Sequence, residues 1–328
     1  MEAETIPAEE IEEVGQLTLL RSGAPRIPET IKLLRGDVGE AIELARQAAG
    51  GARIVIADPP WPYDNTGTAG KGFNGTAKGH YDTPAMEEIL RVLVRAYDAA
   101  GSDSYLFLWI TWPVLLDFLE AVSVLSAGTG LLVRALLERI EDPEDREAAE
   151  GELSAWLRRW IGRGSSPAFP WRYISGGSWH KTGGLGAGFH FRGDSEPFLL
   201  FGKGRPMPIC LVCKAHLCQC RQLRKAAEKL LEAGGRPEAA DLNRRPRRLA
   251  LSNAIAAPRT QTHSEKPVDF LIGLIEAMSL PGDLVLSVYS GSAPEARAAK
   301  VLERRFIGAE LDEDKHRLAI ALLAGFRK

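Results

Sequence analysis

The 328-residue chain predicts an α/β fold, a parallel or mixed sheet covered by helices. Three observations predict it. Apolar runs such as RIVIAD (53–58), SYLFLWI (104–110) and DLVLSVY (283–289) have the continuous pattern of strands buried on both faces. Amphipathic segments of helical period alternate with them. The first of these strands stops at an acid followed by two prolines, and open α/β sheets bind ligands beyond the carboxyl ends of their strands.

Taken in order, residues 1–30 read as an acidic arm, and IKLLRGD (31–37) as a short strand ending in a turn. EAIELARQAAG (40–50) has helical spacing and a glycine stop. After the strand at 53–58, GTAGKGFNGTAKGH (67–80) is a glycine-rich loop. PAMEEILRVLVRAYDAA (84–100) and PVLLDFLEAVSVL (113–125) are helices flanking the strand at 104–110. The charged stretch 127–165, broken near Pro143, reads as an inserted helical hairpin. WRYISGGSWHK (171–181) and EPFLLFGKG (196–204) are strands around a loop. Residues 206–250 form a cysteine-rich, basic insertion. KPVDFLIGLIEAMSL (266–280) is a helix, followed by a strand at 283–289, a helix at 291–303, a strand at 304–311 and a last helix at 312–325.

Bulk composition narrows function. The formal net charge is −2, so no whole-molecule field advertises nucleic acid, and any basic surface is local. No apolar stretch approaches the roughly 20 residues that span a bilayer. The acidic N-terminus lacks the profile of a secretion signal, so a cytoplasmic location without membrane contact is expected.

The stretch DPPW, Asp58–Trp61, carries the sharpest chemistry. Pro59 and Pro60 fix the backbone and remove two donors. The carboxylate and the nearby carbonyls are then a rigid group of acceptors, and Trp61 offers an aromatic face. Such a site suits an exocyclic amine on a planar base held out of its stack. An ordinary strand-to-loop turn with Trp61 in the core is the competing reading.

These residues resemble the catalytic motif of S-adenosylmethionine-dependent N6-adenine methyltransferases, the family that includes the mRNA adenosine methyltransferase and bacterial and phage relatives. GHY (Gly79–Tyr81), LFLWIT (Leu106–Thr111), FHFR (Phe189–Arg192) followed by Glu196, and HSEKP (His263–Pro267) resemble further landmarks in family order. SVYSGSAPEARAAKVLERRFIGAELDED (287–314) resembles the cofactor half of the β-class DNA enzymes. The resemblance implies a Rossmann-like methyltransferase sheet with the catalytic motif before the cofactor motif, a permuted order. It implies Asp58, Pro59, Pro60 and Trp61 as catalytic residues. Tyr63, Asn65, His80, Tyr81, Lys181 and Arg192 would contact the substrate. Asp37, Asp58, Ser264, Lys266, Tyr289, Ser290, Gly291, Ser292, Glu310 and Asp312 would hold S-adenosyl-L-methionine. The chain departs from the family pattern at Ser287, where an acid is usual, and at Ala293, Pro294 and Glu295. Ala293 cannot take a strained glycine conformation cheaply, whereas Pro294 suits a first helical turn.

The expected reaction is methylation of adenine N6 in DNA. RNA as substrate is one alternative, and a silent nucleic-acid-binding subunit is another. Cys210, Cys213, Cys218 and Cys220, in a C-x2-C-x4-C-x-C pattern, are candidate ligands of a structural zinc ion. An iron–sulfur cluster or reduced cysteines are the other readings, and His216 reads as a surface residue. Between 210 and 248 ten basic side chains face four acidic ones, a local footprint for phosphates. With HKTGGLGAGFHFR beside the cleft, this stretch is expected to recognise the target.

Overall fold

The computed structural model describes residues 11–14, 17–20, 27–62, 84–125, 142–148, 169–182, 194–210, 212–216, 218–243, 251–252, 254–258 and 265–326. Strands β1 (Ile11–Val14) and β2 (Leu17–Leu20) pair as a hairpin inside the expected acidic arm. The eight-stranded sheet is built from β3 (Ile31–Arg35), β4 (Ala52–Ala57), β5 (Ala100–Trp109), β6 (Arg172–Thr182), β7 (Ser195–Lys203), β8 (Ala254–Pro258), β9 (Leu284–Ser287) and β10 (Arg305–Glu310). Its spatial order is β3-β10-β9-β4-β5-β7-β6-β8. The first five strands in that order are mutually parallel, β7 is antiparallel to both neighbours, and β8 is parallel to β6.

Alternation explains why the central strands are continuous apolar runs. Val55 and Ala57 of β4 join one core, and Ile54 and Ile56 join the other. On the first face lie α1 (Val38–Gln47), α2 (Met86–Ala99) and α3 (Trp112–Leu125), burying residues such as Ile42, Leu93 and Phe118. On the second lie α6 (Val268–Met278), α7 (Pro294–Val301) and α8 (Glu313–Gly325), burying Leu271, Ala296 and Leu323. Helices on both faces are what a largely parallel sheet requires, and the mixed α/β fold agrees with the sequence.

Within the cysteine-rich insertion, α4 (Cys220–Glu232) and the short α5 (Ala239–Leu242) precede β8. The helical turns at 143–148 are the described part of the expected hairpin 127–165; the rest of that hairpin lies outside the described residues. The sequence offered no strand at 254–258. Its alanine-rich run has no strong β pattern, and it forms only as an edge strand, ending at Pro258, where a missing donor is tolerated.

The chain reverses its lateral direction between β9 and β4. From β9 it crosses by α7 to β10, on the side of β3, whereas β4 leads towards β5. This switch point is where such sheets form a crevice. The Val288 N–H donates to the Ile56 carbonyl at 3.1 Å, so the ends of β4 and β9 are in register. Asp58 and Tyr289 emerge side by side from that edge.

Candidate active site

Four charged side chains converge on the carboxyl edge of the sheet. Lys266, just before α6, places Nζ 2.6 Å from Asp58 Oδ2 and 3.2 Å from Glu196 Oε2. Lys181, near the end of β6, pairs with Glu196 Oε1. The result is an alternating row, Asp58–Lys266–Glu196–Lys181, drawn from separate elements. Lys266 is only 5% exposed and also sits over the Trp109 ring, 5.2 Å from its centroid.

Burial alone would lower the Lys266 pKa, but the facing charges of Asp58 and Glu196 reverse this and hold it well above the usual lysine range. Burial would raise Glu196, yet Lys266 and Lys181 together pull it below the ordinary carboxylate value. Asp58 is raised, by burial first, with Lys266 offsetting only part. Among the described residues no donor reaches Asp58 Oδ1, nor the carbonyls of Pro59 and Pro60.

Trp61 corrects the sequence reading. It is 2% exposed, its indole N–H donates to the Trp109 carbonyl at 3.0 Å, and its ring meets Phe118 edge-on at 5.7 Å. It offers no open face for stacking and instead anchors the Asp-Pro-Pro turn to the core. Tyr63, Asn65, His80, Tyr81, Arg192 and Ser264 lie outside the described residues.

Across the crevice, the turn after β9 has the form a bound cofactor needs. Gly291 has φ +53 with nothing within 4 Å of where a Cβ would stand. Its N–H donates to Glu310 Oε2 at 2.7 Å, and Asp312 N–H donates to the other oxygen at 2.9 Å. Glu310 thus closes the crevice floor, its carboxyl raised by burial. Gly308 of β10 lets the turn approach, because a Cβ there would lie 2.4 Å from Ser290 Oγ. Among the described residues no hydrogen-bond partner reaches the buried Ser287 Oγ, Ser290 Oγ or Glu295 Oε2. Orphaned polar atoms of this kind ask for a ligand or water, so the turn fits a polar cofactor.

Asp37 and Asp312 each cap a helix. Asp37 accepts from Gly39 N–H at 2.7 Å and Asp312 from Lys315 N–H at 3.0 Å. Tyr289, beside the turn, has its phenol raised by burial and then by Asp37 and Glu88. Ala293 does adopt the left-handed conformation, φ 51 and ψ 53, ahead of Pro294 at the first turn of α7.

Sequence reasoning did not assign Glu196, Glu265 or Glu295 to the site. Glu196 had a signal, an acid opening an otherwise apolar strand. Glu265, inside HSEKP, accepts from Ser292 Oγ at 2.6 Å and lies 2.9 Å from Arg297 Nη2, tying the segment before α6 to the cofactor turn. Glu295 is 2% exposed and pushed up to about 8 by burial.

The cysteine segment sits elsewhere. Ile209 N–H donates to Ala277 O near the end of α6, and His216 Nε2 lies 2.9 Å from Asp283 at the start of β9. Both anchors are at the amino edge of the parallel strands, opposite Asp58. The anchors of the cysteine segment thus lie away from the crevice, and the expectation that the basic stretch 210–248 recognises the target is not tested by them. The spacing of motifs along the chain cannot show at which sheet edge an insertion emerges. His216 is not simply a surface residue either, since it docks this segment onto the sheet.

The fold and this charged crevice define a mixed α/β domain with its charged groups at the carboxyl edge of the parallel strands. Residues 168–321 match the family model described as DNA methylase, which is the class the motifs resemble. The match spans Glu196, Lys266, the Tyr289–Ser292 turn and Glu310, and does not reach Asp58. No curated protein matches the chain. Among solved structures, the chain is similar to M1.HpyAVI in complex with SAM, at 15% identity over 89% of this chain and 98% of that one, with TM-score 0.48. It is also similar to TTHA0409 of Thermus thermophilus, described as a candidate DNA modification methylase, at 15% identity, 90% and 94% coverage and TM-score 0.47. PvuII DNA methyltransferase, cytosine-N4-specific, gives 10% identity, 94% and 90% coverage and TM-score 0.48.

Proposed function

We propose that the protein methylates the N6 amine of adenine in DNA, using S-adenosyl-L-methionine. One observation carries the reading: Asp58, held by Lys266 through Oδ2, ends β4 next to the β9 end that leads into the Gly291 turn, at the switch point of the sheet, and among the described residues no donor takes its Oδ1 or the Pro59 carbonyl. The cofactor would supply a methyl group on a sulfonium. Tyr289, Ser290, Gly291, Ser292 and Glu310 would hold it, Glu310 through oxygens already oriented by two backbone donors. Asp37 and Asp312 would border its adenosine end.

An exocyclic amine is a poor nucleophile because its lone pair is delocalised into the ring. Accepting both N–H groups at Asp58 and Pro59 draws the nitrogen towards tetrahedral geometry and fixes the direction of the lone pair. Lys266 holds Asp58 by its other oxygen, a positioning role. Most of the acceleration is then orientation. The nitrogen becomes acidic only once methylated, and Asp58 is the adjacent proton acceptor. With Trp61 in the core, stacking on the base falls to Tyr63, with Asn65, His80, Tyr81, Lys181 and Arg192 as further substrate contacts. The DPPW motif favours adenine over cytosine by family resemblance, and the cofactor half favours DNA over RNA in the same way.

Incubation with labelled S-adenosylmethionine and either DNA or RNA, followed by nucleoside identification, tests the proposal. N6-methyladenine in DNA is expected; N4-methylcytosine, or label in RNA alone, overturns the substrate assignment. Asp58→Ala should reduce turnover by at least about a hundredfold while cofactor affinity, measured by titration, stays near wild type. The departures at Ser287, Ala293 and Pro294 favour a silent subunit as second reading, and absence of cofactor binding in the same titration would establish it.

A further inference from the structure

The four cysteines form a second centre that methyl transfer does not use. Cys210 and Cys220 are buried, with sulfurs 3.7 Å apart. The sulfurs of Cys210, Cys213, Cys218 and Cys220 all lie within 4.8 Å of one another. None is in a disulfide, where the sulfurs would be about 2.0 Å apart. Zinc bound to thiolates at about 2.3 Å sets tetrahedron edges of about 3.8 Å, close to the spacing already present. We propose that these four cysteines bind one structural zinc ion.

The backbone around them agrees with that role. Lys214 N–H donates to Cys210 O at 2.7 Å and Cys210 N–H donates to Ala215 O at 3.2 Å. With Lys214 in the left-handed region at φ 48, this makes a tight knuckle that brings the first two thiols together. Cys220 is the first residue of α4, so the start of that helix carries the fourth sulfur of the cluster. His216 meets Asp283 through Nε2 at 2.9 Å, and the close cluster of ligand atoms is made of the four sulfurs without its ring. Four thiolates close the coordination shell, leaving no open position for catalysis. The ion would bind the start of α4 to the knuckle, which is itself pinned to α6 and β9 through Ile209 and His216.

Metal analysis of the purified full chain tests this. About one zinc per chain is expected. Cys213→Ser and Cys218→Ser, at the two partly exposed positions, should each cut zinc content several-fold and lower the melting temperature, while His216→Gln keeps its zinc. Cobalt exchanged into the wild-type protein should give the thiolate charge-transfer absorption of a tetrahedral sulfur site, a readout that needs no variant. Absence of stoichiometric metal, iron in place of zinc, retention of zinc in both cysteine variants, or its loss in His216→Gln would each overturn the assignment.

Discussion

Lys266 is the residue on which the electrostatics of the crevice turn. It lies between two carboxylates, and removing it would leave Asp58 and Glu196 facing each other with one cation, Lys181, on the far side. Breaking a buried pair on one side costs more than the pair contributes, because a charge stays behind. Lys266→Met should therefore destabilise the protein by about 2–3 kcal/mol, reduced from the fully buried case because Asp58 is partly exposed. Urea unfolding measures it. The glycine of the cofactor turn works differently. Nothing crowds Gly291, so Gly291→Ala meets only the backbone penalty of its left-handed conformation, about 1–2 kcal/mol, with no steric clash. A larger loss in thermal or urea melts would mean that the turn is packed more tightly than described.

At the scale of elements, the turn into α7 concentrates the departures from the family pattern. Ala293 takes the left-handed conformation that glycine usually supplies, with its methyl fully buried in the core; the burial offsets part of the strain. Two residues on, Glu295 is closed in the same region with its carboxyl at about 8, raised by burial. The unfolded chain would release that proton near the ordinary value of 4.5. Between those values the native state holds a proton that the unfolded state does not, so stability falls as pH rises. The slope approaches 1.4 kcal/mol per pH unit at most, or about tenfold in the folding equilibrium. Glu295→Gln should remove this loss between pH 5 and 8, and melts at both ends of the range measure it. The central strands and most helices were legible in the sequence because burial on two faces writes itself as continuous apolar runs, as in RIVIAD. The strand at 254–258 was not, since its pairing partner β6 decides it and its own alanines do not. Asp58 drew notice through its place at a strand end and the Gly291 turn through its family motif, and the fold sets both at the carboxyl edge of the sheet. The core position of Trp61 was not, because an indole beside prolines reads alike whether it faces a base or Phe118.

The whole molecule divides its work between the two edges of one sheet. The carboxyl edge carries Asp58, Glu196, Lys181, Lys266 and the Gly291 turn; the amino edge carries fastenings. There Arg53, at the start of β4, donates to Met278 O at 2.9 Å and Met207 O at 3.1 Å, and also to Asp103 O. Arg304 donates to Ser279 O at 2.7 Å and to Ser279 Oγ at 3.0 Å. These guanidinium groups satisfy loop carbonyls between α6, β5 and the approach to the cysteine knuckle, and burial lowers the pKa of both without a neighbouring carboxylate restoring it fully. Sequence order hid this division, because the cysteine block lies between family landmarks along the chain and only the direction of each strand assigns them to an edge. The division has a measurable consequence. Arg53→Met strands the Met278 carbonyl, the part-buried one of its three acceptors; one hydrogen bond with a charged donor contributes about 1.5–3 kcal/mol and the two exposed acceptors turn to water, so stability should fall by about 2–3 kcal/mol. Asp58, the Gly291 turn and Glu310 lie at the other ends of their strands and lose no contact. At a temperature where the variant remains folded, its affinity for S-adenosylmethionine should stay within about twofold of wild type, since sites without shared partners are nearly additive. Calorimetric titration beside a thermal melt separates the two quantities. A matching loss of cofactor affinity would mean that strain at the amino edge travels along β4 to the crevice and that the edges are not independent.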